Sequence, residues 1–159
     1  MQVTRRAKFW SCAPGLMALF TIPMSQPTFA ADLRCFDQAA ARYRVPASLL
    51  RAISSVESGG NPRAFHVNKN GSVDIGHMQI NSAWLPTLAK YGIDRSRLSD
   101  PCVNTNIGAW ILAANFRRAG YQWGAVGAYN ARSRAKAAVY TQKIADRLLV
   151  ETKKGKQIE

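Results

Sequence analysis

Residues 46–62 read PASLLRAISSVESGGNP, a segment that satisfies its apolar residues only as an amphipathic helix with an abrupt end. Pro46 suits a first helical position, Leu50, Ile53 and Glu57 then fall on one face with Leu49 and Val56 beside them, and Asn61-Pro62 stops the helix. The stripe must pack on a core, so an acid is carried to where apolar residues point. Glu57 is also the only glutamate between Met1 and Val150. Desolvation disfavours an ionised carboxyl and lets it hold a proton near neutral pH, which makes Glu57 a candidate proton donor. The plainer alternative is a helix-end residue whose tip reaches water.

The chain starts with Arg5, Arg6 and Lys8, an apolar run from Phe9 to Met24, and small residues through Ala30. This is the pattern of a secretory signal peptide, residues 1–30, with cleavage after Thr28-Phe29-Ala30. The run is short and broken by Pro14, Gly15 and Pro23, so no stable membrane span is expected after export. Cys12 lies too early in this segment for a lipoprotein cysteine. Export removes three of the 22 basic residues and none of the 9 acidic ones, leaving a strongly basic chain of roughly 130 residues, one domain's worth. Charge of this sign suits nucleic acid, anionic lipid or an acidic wall polymer, and does not choose among them. Its arginines are scattered and read as a solvated face. Cys35 and Cys102 remain as one pair, and in an oxidising compartment they are expected to form a disulfide. Closing a loop of about 68 residues is worth on the order of 4 kcal/mol in the chain-entropy model.

The remaining pattern is helical. Asp32 is placed to cap a helix through Tyr43, and Asn70-Gly71 between His66-Val67 and Val73-Ile75 marks a small hairpin within 64–81. Ser82 is placed to cap a short helix to Tyr91. Asp100-Pro101 opens a long one striped by Val103, Ile107, Trp110, Ile111 and Ala114 and closed by Gly120. Trp123–Tyr129 and Ala135–Val150 supply two more, the last with Tyr140, Ile144 and Leu148 at four-residue spacing. The expected fold is a compact, mainly α domain over residues 31–150 with a small hairpin or irregular sheet, followed by a fraying polar tail, 151–159.

Glycoside hydrolysis normally uses two carboxylates, and a partner for Glu57 is hard to find. Asp100 reads as a helix cap, Asp94 as a turn residue, and Asp37 lies on the first helix; only Asp74 falls in the segment expected to face Glu57. One carboxylate suffices if the substrate brings its own nucleophile, the same Glu acting first as acid and then as base. His66 and His77 lack a third ligand at useful spacing, so no metal site is expected, and both histidines are expected to be exposed.

Three motifs in order, Glu-Ser-Gly-Gly-Asn-Pro (Glu57 to Pro62), Gly-His-Met-Gln-Ile-Asn (Gly76 to Asn81) and Ala-Tyr-Asn (Ala128 to Asn130), followed by Tyr140, resemble the lytic transglycosylases related to goose-type lysozyme. Within them the chain is similar to the small enzymes that accompany type III secretion, type IV secretion and conjugative pilus systems. The likeness spans Cys35 to Leu148. It implies a lysozyme-like α+β fold and a periplasmic, cofactor-free monomer that acts on peptidoglycan glycan strands beside apparatus proteins. It further implies that Glu57 alone cleaves the β-1,4 bond between N-acetylmuramic acid and N-acetylglucosamine, the muramyl 6-hydroxyl attacking to give a 1,6-anhydro end. By the same resemblance Ser58, Gly76, Met78 and Gln79 belong to the glycan groove, Tyr129 and Asn130 contact sugar, and Tyr140 holds the Glu57 carboxyl. The family pattern has Leu where His77 stands, and Ser in many members where His66 falls. Taken singly, Gln79 and Asn130 also fit as turn and cap residues, Met78 as core filler and Tyr140 as helix packing. Two other functions compete: a hydrolase in which Asp74 positions water, and a non-catalytic component that binds glycan or, less in keeping with the motifs, nucleic acid.

Overall fold

The computed structural model describes residues 29–131 and 133–155. It contains seven α-helices and a three-stranded antiparallel sheet, in the order α1 (Phe29–Tyr43), α2 (Ala47–Ser58), β1 (Phe65–Val67), β2 (Val73–Ile75), β3 (Ile80–Asn81), α3 (Leu85–Ala89), α4 (Arg95–Leu98), α5 (Pro101–Ala119), α6 (Trp123–Gly127) and α7 (Arg134–Gly155). The mainly helical expectation is met. The expected signal segment, Cys12 included, lies outside the described residues except for residues 29 and 30, the first two of α1.

The core gathers around α5. This helix packs on α1, α2 and α6, while α7 covers α2 and α6. Leu50 and Ile53 of α2, Leu112 of α5 and Ile144 of α7 are fully buried together. Each such side chain contributes about 1.5–3 kcal/mol by leaving water. The expected disulfide joins Cys35 on α1 to Cys102 on α5, with Cα atoms 5.2 Å apart.

Local chemistry sets the element ends. Asp100 caps α5 by accepting from Val103 N–H at 2.9 Å, and Pro101 occupies the first turn. Gly59 ends α2 in the left-handed region at φ 66°, its N–H bonded to Ser55 O at 2.9 Å while Gly60 N–H reaches Ser54 O at 3.1 Å. Glu57 therefore stands in the last turn, where the helix stops and the chain turns away.

Four boundaries differ from expectation. The first helix runs back to Phe29, which places Asp32 inside α1 instead of at its cap. Asn81, not Ser82, caps the short segment that follows, accepting from Ala83 N–H at 2.9 Å, because Ser82 Oγ is turned to accept from Val73 N–H. Asp94 caps the unforeseen α4 through Arg97 N–H at 2.8 Å. Helix α7 continues past Val150 to Gly155, since nothing in residues 151–154 breaks a helix.

Candidate active site

Glu57 meets its first partner because α2 lies against α7. Tyr140, buried on α7, donates its hydroxyl to Glu57 Oε1 at 2.7 Å. The Glu57 carboxyl is pushed up from 4.5 to about 7, chiefly because burial strips water from its ionised form. The Tyr140 hydrogen bond pulls the other way, and the negative charge of Asp74 adds to the rise. Burial and the neighbouring Glu57 push both Tyr140 and Tyr129 above the ordinary phenol range, so both hydroxyls remain donors.

The sheet forms the opposite wall. His66 pairs with Asp74, and Asp74 with Asn81, so these three side chains share one face. With Glu57, Gln79 and Tyr129 they line a groove of about 880 Å³ that also takes in Asn130 and Trp84. A smaller space of about 460 Å³, bordered by Asn130, Lys136, Tyr140 and Lys143, also has Glu57 in its wall. The Glu57 carboxyl is thus common to the walls of two recesses.

Asp74 is the one other carboxylate lining the groove among the described residues. Both of its oxygens are engaged: Oδ1 accepts from Asn81 Nδ2 at 2.7 Å and Oδ2 from Asn68 Nδ2 at 2.9 Å. This binds Asp74 into the sheet's own scaffold. The remaining acids considered lie elsewhere, Asp94 and Asp100 as caps and Asp37 paired with Arg51 at 3.1 Å on the surface.

The loop from Gly76 to Gln79 is held from behind. Asn104 of α5 is fully buried; its Oδ1 accepts from Met78 N–H at 2.8 Å and its Nδ2 donates to Ile75 O at 2.9 Å and Leu98 O at 3.0 Å. Gly76, at φ 73°, lies so close to this amide that a Cβ would meet it at 2.5 Å. Only glycine fits there. Gln79 holds the uncommon φ of 47°, its N–H and Nε2 both donating to Gly76 O at 3.0 and 2.8 Å. Left-handed backbone in a residue other than glycine costs on the order of 1 kcal/mol and often marks a functional position.

Three residues implied for the groove stand behind its lining, and the exposure expected of His77 needs correction. The Met78 side chain is 0 % exposed and fills the core under Gly108; it does not line the groove, and only its carbonyl, which accepts from Tyr129 Oη at 3.0 Å, takes part in the site. Ser58 Oγ is turned to His77 O at 3.0 Å, and Gly76 is buried, so neither stands among the lining residues. His77 is not exposed. It is 4 % exposed, edge-on to Phe36, with Nε2 3.1 Å from Pro101 O and from Thr105 Oγ1, and Nδ1 2.8 Å from Ser54 Oγ. A carbonyl only accepts, so Nε2 carries a proton, and in the neutral ring Nδ1 accepts from Ser54. His66 is exposed as expected, at the groove's edge.

Trp84, set edge-on against Trp110 with ring centroids 5.2 Å apart, adds an apolar surface that the motifs did not mark. The buried polar set of Ser54, His77, Asn104 and Thr105 was also missed. Its signal was present: Ser54 follows Leu50 by four residues on the apolar stripe, and Asn104-Thr105 interrupts that of α5.

The model of the transglycosylase SLT domain matches residues 34–147. Invasion protein IagB of Salmonella typhimurium is 39 % identical over 115 residues, 72 % of each chain. Protein IpgF of Shigella flexneri is 45 % identical over 98 residues, 61 % of this chain and 64 % of its own. The X polypeptide of Escherichia coli is 45 % identical over 103 residues, 64 % of this chain and 60 % of its own. With the family's domain matched across nearly all of the described residues, the chain belongs to the SLT-domain lytic transglycosylases.

Proposed function

We propose that this protein is an exported murein lyase in which Glu57 is the sole acid and base. In the first step the protonated carboxyl gives its proton to the glycosidic oxygen between N-acetylmuramic acid and N-acetylglucosamine, and the bond to the muramyl C1 breaks. In the second, the carboxylate takes the proton of the muramyl 6-hydroxyl as that oxygen bonds to C1, which closes a 1,6-anhydro ring and restores the acid. The observation that carries this reading is the half-buried Glu57, held by Tyr140, raised to about 7 and shared by the walls of two recesses. Gln79, Tyr129 and Asn130 are assigned to sugar contact, and Tyr140 to positioning the acid.

The hydrolytic alternative gives Asp74 the task of orienting water. Engagement of both Asp74 oxygens by Asn68 and Asn81 favours a scaffolding role instead. Export to the periplasm, as a monomer, fits the disulfide and the amino-terminal pattern. Local opening of the wall for a secretion, pilus or conjugation apparatus is the biological role we assign, supported by the likeness to an invasion protein.

Turnover of purified sacculi tests the assignment. Glu57→Gln is expected to lose activity by about three orders of magnitude or more, and Asp74→Asn to keep it within about tenfold. An inactive but folded Asp74→Asn would return the reaction to the hydrolytic reading. Full activity in Glu57→Gln would leave a binding protein.

A further inference from the structure

Glu57 occupies the last turn of α2, where helices fray, and two glycines follow it. Two serines bracket the acid, Ser54 three residues before it and Ser58 one after. Both hydroxyls reach residue 77. Ser54 Oγ lies 2.8 Å from His77 Nδ1, and Ser58 Oγ donates to His77 O at 3.0 Å. On the far side of the ring, Nε2 lies 3.1 Å from Pro101 O and from Thr105 Oγ1, at the start of α5 beside Cys102 of the disulfide. The imidazole thus stands between the turn that bears Glu57 and the covalently anchored start of α5.

The chemistry of the ring sets the direction of these bonds. With Nε2 protonated toward Pro101 O, neutral imidazole leaves Nδ1 a lone pair for the Ser54 hydroxyl. Ser54, His77 and Thr105 are 3, 4 and 1 % exposed, so water does not compete for these contacts. A serine inside a helix ordinarily turns its hydroxyl to its own backbone or to solvent. Here the hydroxyl ties the helix to the loop between β2 and β3. Leucine at position 77 would fill a similar volume but would offer Ser54 no acceptor.

A displacement of about 1 Å at a reacting group can slow a reaction by about a hundredfold. The groove wall is held by other bonds: Asn81 fixes Asp74, Asn104 fixes the Met78 backbone, and Trp84 leans on Trp110. Loss of the imidazole would therefore fall on the acid. We propose that His77 is a positioning residue whose imidazole, through Ser54, holds the last turn of α2 and with it the Glu57 carboxyl against the start of α5. The inference rests on the reading of Glu57 as the acid and adds the group that keeps its helix turn in place.

Two measurements on the full exported chain test it, and the first does not depend on cleavage. Amide hydrogen exchange at Gly59 and Gly60, whose N–H groups bond to Ser55 O and Ser54 O, reads local opening of that turn. His77→Leu and Ser54→Ala should each speed exchange there by about tenfold more than at Leu112 in the middle of α5. In steady-state cleavage of soluble glycan strands, both variants should lose about tenfold in kcat with KM within about twofold of wild type. His77→Asn, whose Oδ1 can accept from Ser54 in place of Nδ1, should bring kcat back to within about threefold of wild type. The double variant should be no slower than the slower single one, because both remove the same bond. Unchanged exchange at Gly59 and Gly60, losses in kcat that multiply in the double variant, or an asparagine variant as slow as the leucine one would each overturn the proposal. Should His77→Leu not fold, Ser54→Ala, which keeps the ring, carries the same prediction. A wild-type chain that fails to cleave would overturn the catalytic reading, whereas a folded Ser54→Ala with wild-type kcat would overturn this inference alone.

Discussion

At Glu57 two influences oppose each other, and their balance sets the pH range of the acid. Burial raises the carboxyl to about 7 while the Tyr140 hydroxyl, which favours the charged form, restrains the rise. Activity should therefore fall as pH rises through about 7, when the proton to be donated is lost. Tyr140→Phe keeps the ring but removes the restraint: the alkaline limb should move upward, and turnover should drop by about tenfold for want of an oriented acid. A limb that stays in place would mean that another group sets it. Stability carries the same signature with a fixed sign. The folded-state value exceeds the ordinary 4.5, so the contribution of this group is complete below about pH 4.5 and is lost as pH rises through about 7. The span is on the order of 3 kcal/mol. Glu57→Gln, which cannot ionise, should match the wild type in denaturant melts near pH 4 and be the more stable near pH 8. Equal stability at both ends would contradict a desolvated acid.

Among the elements, the site depends on how α5 holds the loop between β2 and β3. A Cβ at Gly108 would meet Met78 Cε at 2.6 Å and Tyr129 Oη at 3.0 Å, and Met78, buried on all sides, has nowhere to swing. Gly108→Ala should cost about 1–3 kcal/mol in urea melts and reduce activity by shifting Tyr129. Asn104→Ala removes two hydrogen bonds from the same segment, to Met78 N–H and Ile75 O, and a third to Leu98 O of α4, and should cost about 2–4 kcal/mol. A variant as stable as wild type would show that the loop holds itself. This scale is also where sequence and structure part company. Helices α2, α5 and α7 were legible because their apolar periodicity and the Asp100-Pro101 start state the backbone's preference locally, and Asn70-Gly71 did the same for the hairpin. Glu57, Gln79, Tyr129 and Asn130 came together as the motifs implied. The burial of His77 was not legible, and the place of Met78 in the core was open only as the alternative to a groove role. Both follow from partners distant in sequence, Thr105 of α5 for the first and Gly108 for the second, which local pattern cannot reveal.

For the whole molecule, the Cys35–Cys102 bridge fastens α1 to the start of α5 and closes most of the domain into one loop. Replacing both cysteines with alanine should cost on the order of 4 kcal/mol, read as a lowered urea midpoint, and the oxidised protein should keep that margin until a reductant is added. The formal net charge, +13 for the full chain and three less once the expected signal segment is removed, acts over a longer range, favouring approach to an acidic polymer and losing that attraction as salt rises. In the proposed reaction one carboxyl decides the direction of the chemistry, and the products record it. Wild-type protein digesting purified sacculi in water enriched in oxygen-18, with the released muropeptides weighed by mass spectrometry, reads that record directly. The account predicts 1,6-anhydro ends that carry no heavy oxygen, whereas reducing ends labelled with oxygen-18 would contradict it.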